Sequence, residues 1–365
     1  MKTKLSCLEM STFMFYIMRC FFIGITINNI VYIANQDSYL SIIIGFLIGF
    51  IPLLLFYYLS SYKKELNIVE LIEHLLGPYL GKGINLILSV FILFLSTIIY
   101  WNFTTFIASQ YLSDTPALAI SFIFLFPTIY LLNKGIYVIA KSSVMMFYIC
   151  IVLTLLPFIG LFFQLDMDNF LPFLYQGPTP VLKGSFIYLT NNVLPIFLLL
   201  IIPKEMVEEH RKLPKNLILF YIMTTILLFI LFFLTLGIFG VNLTKFFQYP
   251  EFHLLKRASL FGFIQRIEST LSIQWILDLF MCNIIALYYV IESMRITFHI
   301  QSKKIYQIIL ITVSLFVSIA SNHVFKNNTI GAEFLMFPFP FLLYLFFFLI
   351  PFFLILIAHM KRKTQ

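Results

Sequence analysis

This chain is short of charge. Only 11% of its 365 residues are Asp, Glu, Lys or Arg, against roughly 25% in soluble domains. That shortage excludes an ordinary water-soluble fold. Cysteine is scarcer still: Cys7, Cys20, Cys150 and Cys282 stand at no metal-like spacing. Three of the four fall in long apolar runs, so a disulfide framework is not expected. The six histidines are just as dispersed. No nucleophile accompanies a base, and no glycine-rich loop is present to cradle phosphate. Neither an enzyme nor a metal site is expected.

What is abundant is hydrocarbon. Hydrophobic residues make up 61% of the chain, and phenylalanine alone supplies 45. A bilayer core about 30 Å thick takes about 20 apolar residues per helical span. Cutting the chain at that length predicts ten spans, near 11–34, 40–60, 84–111, 117–133, 142–163, 185–203, 216–240, 269–293, 305–322 and 338–359. The first run is too long for a cleaved signal peptide, and nine more follow it. Residues 1–365 are read as a single all-α polytopic membrane domain with no soluble domain attached.

The net charge of +8 is distributed as a membrane protein distributes it. With the N-terminus in the cytoplasm, 17 of the 24 Lys and Arg fall in cytoplasmic segments, six fall outside, and Arg19 lies within span 1. The positive-inside rule therefore places both termini in the cytoplasm. The basic surface faces anionic lipid, and no nucleic-acid-binding element is present. Between spans 2 and 3, Glu70, Glu73 and His74 alternate with Leu71, Leu75 and Leu76. This spacing predicts a short amphipathic helix stopped by Gly77-Pro78. Residues Val241 to Glu268 mix Phe246, Phe247, Phe252 and Phe261 with Lys256, Arg257 and Arg266. They are expected to form one or two external helices, either anchoring at the interface or capping a vestibule.

Two apolar spans carry asparagine pairs that simple membrane crossing does not need. Span 1 contains TINNIV (Thr26 to Val31) and span 6 contains TNNVLP (Thr190 to Pro195). Five spans precede the second, so spans 1 and 6 cross in opposite directions. At 1.5 Å per residue both pairs fall in the same half of the bilayer. Matched polar breaks in two inverted five-span halves, about 11–163 and 185–359, point to a transporter-type site. Pro195 cannot donate to its helix, and its ring crowds the carbonyl of Asn191. Gly24 permits a bend or a close approach. The candidate ligand residues are Gly24, Thr26, Asn28, Asn29, Thr190, Asn191, Asn192 and Pro195, with Tyr100 from span 3, where Trp101 and Asn102 also face a prospective cavity. The competing reading is that intramembrane asparagines only bind neighbouring helices together.

Arg19 and Asp278 both lie toward mid-membrane, where a lone charge is costly. They are expected to meet. Their pairing is either a static lock between spans 1 and 8 or a coupling site in which Asp278 takes a cation or proton. Glu292 and Arg295, near the inner end of span 8, need only snorkel.

Several stretches resemble the spore-germination permease family, the B subunits of germinant receptors. LNIVELIEHLLGPYLGK (Leu66 to Lys82) is similar to that family's first cytoplasmic loop, and IIPKEM (Ile201 to Met206) to its exit from span 6. QRIESTLSIQWILDLF (Gln265 to Phe280) resembles its approach to span 8, with Arg266, Glu268 and Trp275 matching. The resemblance implies a LeuT-type fold of the amino acid–polyamine–organocation superfamily, with a 5+5 inverted repeat and broken spans 1 and 6. It further implies a nutrient-sensing subunit of a spore inner-membrane receptor, working with an A-type subunit and a C-type lipoprotein. The nutrient, most simply an amino acid, would bind between spans 1, 3, 6 and 8. The alternative is an amino-acid transporter of the cell membrane coupled to Na+ or H+, without further cofactors.

Overall fold

Span 1 begins where Ser6 and Glu9 cap each other's backbone: the Glu9 amide donates to Ser6 Oγ at 3.2 Å, and the Ser6 amide to Glu9 Oε2 at 2.7 Å. This reciprocal arrangement satisfies two orphan donors at a helix start. A computed structural model describes residues 4–257 and 268–363. Phe261, Gln265 and Arg266 lie outside the described residues. The described backbone is helical throughout, apart from turns and one bridge between Leu5 and Val207.

Nine helical stretches among the described residues are long and apolar enough to cross a membrane. The first, Cys7–Tyr62, runs for 56 residues, nearly three times the number a crossing requires. It turns back at Asn35, whose φ is +50°, and so contains two spans. The other crossings are Pro78–Gln110, Ala117–Lys134, Ile136–Leu161, Pro178–Ile201, Leu213–Phe246, Glu268–Thr297, Lys303–Ala320 and the stretch from Pro338 to Lys363. The sequence-predicted spans agree with these to within a few residues at most ends. Ten spans put both termini on one face, here called proximal; the opposite face is distal.

The short amphipathic helix between spans 2 and 3 forms as expected. Asn67 and Glu70 cap it reciprocally, and it buries Ile68, Val69, Leu71, Ile72 and Leu75. Gly77 ends it with a φ of +84°, and Pro78 starts span 3, where a missing N–H costs nothing. The expected distal helix between spans 7 and 8 also forms, as Pro250–Arg257. It is an inserted element: Glu251, Phe252, Leu254 and Leu255 are buried.

Spans 1, 6 and 8 occupy the middle. In the apolar windows of spans 6 and 8, 89% and 78% of residues are buried, against 28% in spans 9 and 10. Span 8 lies along span 3, span 1 along spans 5, 7 and 8, and span 2 along span 6. Peripheral spans turn large apolar side chains outward, among them Phe126, Met145 and Ile308. In a protein without water on its flanks, such a belt is what lipid covers.

The two central spans depart from regular helix at their centres. In span 1 the helix Cys7–Cys20 gives way at Ile23 (φ −74°, ψ 134°) and Gly24 (φ +72°, ψ −7°), then resumes as Ile27–Ala34. Span 6 changes pitch instead of unwinding. Pro178–Tyr188 is α-helical, Leu189–Val193 widens so that its hydrogen bonds span five residues, and Leu194–Ile201 tightens to three residues per turn. Pro195 supplies the reason, because without an N–H it leaves the Asn191 carbonyl with no i+4 donor.

Candidate functional site

The distorted centre of span 6 straddles the break of span 1. Asn192 Nδ2 donates to the Met18 carbonyl at 2.7 Å, just before the break. Asn191 Nδ2 donates to Thr26 Oγ1 at 3.2 Å, just after it. Thr26 itself reaches back across the gap, its amide and hydroxyl both donating to the Phe21 carbonyl at 2.9 and 2.8 Å. Asn191 and Asn192 are fully buried, and the Oδ1 atom of each finds no donor in the chain. A buried carbonyl oxygen left open in this way costs free energy, and it is what a ligand's donor would satisfy.

Other predicted residues take different places. Thr190 returns its hydroxyl to its own helix, at 2.9 Å from the Phe186 carbonyl and 3.1 Å from that of Ile187. Pro195 sits buried in the tight turn beyond. The asparagines of span 1 lie four and five residues past Gly24 and donate to other backbones. Asn28 donates to the carbonyls of Phe247 and Gln248 at 3.0 and 3.1 Å, and Asn29 to that of Leu335 at 3.0 Å. Tyr100 is turned away from the break toward span 4, its ring edge-on to Phe124 at 4.9 Å. On a helix each residue turns about 100° from the last, so Trp101 and Asn102, one and two residues on, face elsewhere and line a cavity.

That cavity, about 400 Å3 in volume, extends from Gly24 and Asn102 to the exposed Tyr32 at the distal rim, with Asn28, Lys245 and Glu333 also lining it. Its size suits a small metabolite. Gly24 leaves no room for a side chain: a Cβ there would lie 2.7 Å from the Tyr249 ring and 3.3 Å from Trp275.

Arg19 and Asp278 meet. Arg19 Nε donates to Asp278 Oδ2 at 2.9 Å, with the side chains 2% and 0% exposed. The Phe15 ring lies 4.7 Å from the guanidinium. Arg19 Nη2 and Asp278 Oδ1 have no partner in the chain, so the contact is monodentate. Glu292 and Arg295 pair at 2.7 Å near the proximal end of span 8, and Tyr306 donates to the same carboxylate.

One residue of the site was missed from sequence. Glu251, on the distal helix, is fully buried beside the break, and neither of its oxygens has a well-formed hydrogen bond. Burial pushes its carboxyl up to about 8, although its own amide and that of Gly24 help to hold the charge. The available signal was an acid in Tyr249-Pro250-Glu251, set in an otherwise aromatic and basic segment.

Comparison with known proteins accords with this architecture. A substrate-bound, outward-open Na+-coupled sialic acid symporter superposes with a TM-score of 0.68, over 95% of this chain and 80% of that one, at 14% identity. The chain thus has the LeuT-type fold. Spore germination protein A2 of Bacillus subtilis is 25% identical over 85% of this chain and 86% of its own length. Putative spore germination protein YfkT of the same organism is 26% identical over 67% of this chain and 66% of its own length. Residues 8–326 match the family model described as spore germination protein. The chain belongs to the spore germination permease family.

Proposed function

We propose that this protein is a nutrient-sensing subunit of a spore germinant receptor, binding a small nutrient where spans 1, 3, 6 and 8 meet. The observation that carries this reading is the break of span 1 facing the open carbonyl oxygens of Asn191 and Asn192, next to a distal cavity. Gly24, Thr26, Asn191 and Asn192 form the centre of the proposed site. Asn28 and Asn29 fix its distal wall, and Thr190 and Pro195 set the pitch of span 6. Binding transmits a signal only through differential affinity for two conformations, and a broken span facing unsatisfied side-chain oxygens is suited to having two. The charge asymmetry of the loops supports cytoplasmic termini, hence a distal face outside the inner membrane. A-type and C-type subunits are the proposed partners.

A second reading, a Na+- or H+-coupled amino-acid transporter, draws on the fold and on the free Oδ1 of Asp278. Deleting the gene in its spore-former separates the two. Loss of one nutrient-triggered germination response with normal amino-acid uptake supports the receptor. Normal germination with impaired uptake overturns it in favour of the transporter.

A further inference from the structure

The distal helix Pro250–Arg257 packs against the break of span 1 and against spans 7 and 8. Its approach is locked by aromatic rings. Tyr249 covers Gly24, and Phe106 stands edge-on to Tyr249, Phe252 and Trp275 at 5.1, 5.5 and 4.6 Å. Trp275 Nε1 in turn donates to the Cys20 carbonyl at 3.4 Å, and Asn28 holds the preceding connector. The effect is to bury one carboxyl, that of Glu251, beside the backbone break whose Gly24 lines the distal cavity.

A carboxyl buried in this way either finds a counter-charge or keeps its proton. Here the ion pairs among the described residues are Arg19–Asp278, Glu209–Lys212 and Glu292–Arg295, and none involves Glu251. Of the described basic side chains in this stretch, Lys245 contacts Asn35 and the Tyr32 ring, and Lys256 lies over the Phe252 ring. A fully buried group with two oxygens and no well-aligned donor is complementary to a compact group rich in donors and positive charge.

We propose that Glu251 is the acceptor for an organic ammonium group, so that the ligand of this site is an amine or α-amino compound, not a sugar or a purine. The inference rests on the reading of the break as a ligand site and specifies its chemistry. A ligand entering by the distal cavity displaces Tyr249 from Gly24 and sets its ammonium against Glu251, whose proton leaves to solvent as the ion pair forms. The open Oδ1 atoms of Asn191 and Asn192 are further acceptors for its N–H groups.

The test uses the full chain in lipid nanodiscs, with methylammonium as the probe and methanol and Na+ as neutral and alkali-ion controls. Methylammonium is expected to raise the thermal midpoint and to slow hydrogen exchange in residues 247–257, while the controls do neither. Glu251→Gln, similar in shape but uncharged, is expected to weaken that response at least roughly 30-fold, the loss typical of removing one partner of a buried charged hydrogen bond. A wild-type protein indifferent to methylammonium overturns the proposal. So does an equal response to Na+, which would assign the site to an alkali ion, or an undiminished response in Glu251→Gln. Methylammonium binding in a protein whose deletion leaves germination normal would sink the receptor reading and leave this one standing.

Discussion

Replacing Asp278 by alanine strands the Arg19 guanidinium in a space where it is 2% exposed, with the Phe15 ring 4.7 Å away. Removing one member of a buried ion pair costs about 3–5 kcal/mol, because the other charge stays desolvated. Arg19→Ala should cost a similar amount by stranding the carboxylate. Arg19→Met combined with Asp278→Leu removes both charges and roughly keeps the volume, so most of the loss should return, to within about 1–2 kcal/mol of wild type. Denaturant titration in mixed micelles, followed by the fluorescence of buried Trp275, measures all four points of the cycle. Single variants as stable as wild type would refute the argument that both charges are desolvated and paired. The folded double variant then serves functionally. If it responds to nutrient normally, the pair is only a lock between spans 1 and 8. If it is silent, the monodentate geometry, with Nη2 and Oδ1 left open, is used in switching.

Gly24→Ala should cost at least about 1–2 kcal/mol from the left-handed backbone alone. Its methyl group meets the Tyr249 ring at 2.7 Å, so faster hydrogen exchange in residues 247–257 should accompany the loss; unchanged exchange would contradict the packing. Asn191→Ala and Asn192→Ala should abolish the nutrient response, whereas Thr190→Val, whose hydroxyl serves its own helix, should cost about 1 kcal/mol or less and leave the response intact; germination dose curves decide. The Glu251 carboxyl titrates at about 8 because burial raises it. Between about 4.5 and 8 the native state therefore keeps a proton that the unfolded chain has released. Stability should fall as pH rises through that window and level off above it, while Glu251→Gln should show a flatter profile. A midpoint that rises with pH in the wild type would reverse the sign and refute the assignment.

The ten spans, the proximal amphipathic helix stopped at Gly77-Pro78 and the meeting of Arg19 with Asp278 were legible in the chain itself. Hydrocarbon thickness, backbone hydrogen bonding and the cost of a lone charge act on stretches that sequence displays directly. Both asparagine pairs were visible too, but their partners were not. TINNIV and TNNVLP look alike as strings, yet Asn191 and Asn192 face the break while Asn28 and Asn29 tie span 1 to the connector before the distal helix and to Leu335. Which face a polar side chain turns inward depends on helix phase and on the neighbour that arrives there. The same limit hid Glu251, since a short segment between spans reads as solvent-exposed until it folds back under Tyr249. Local composition determined that this chain spans a membrane ten times and where it does so. Contacts between residues distant in the chain, 165 and 174 positions apart for Asn191 and Asn192, decided what lines the break, because only packing brings span 6, and a carboxyl from the distal helix, to the centre of span 1.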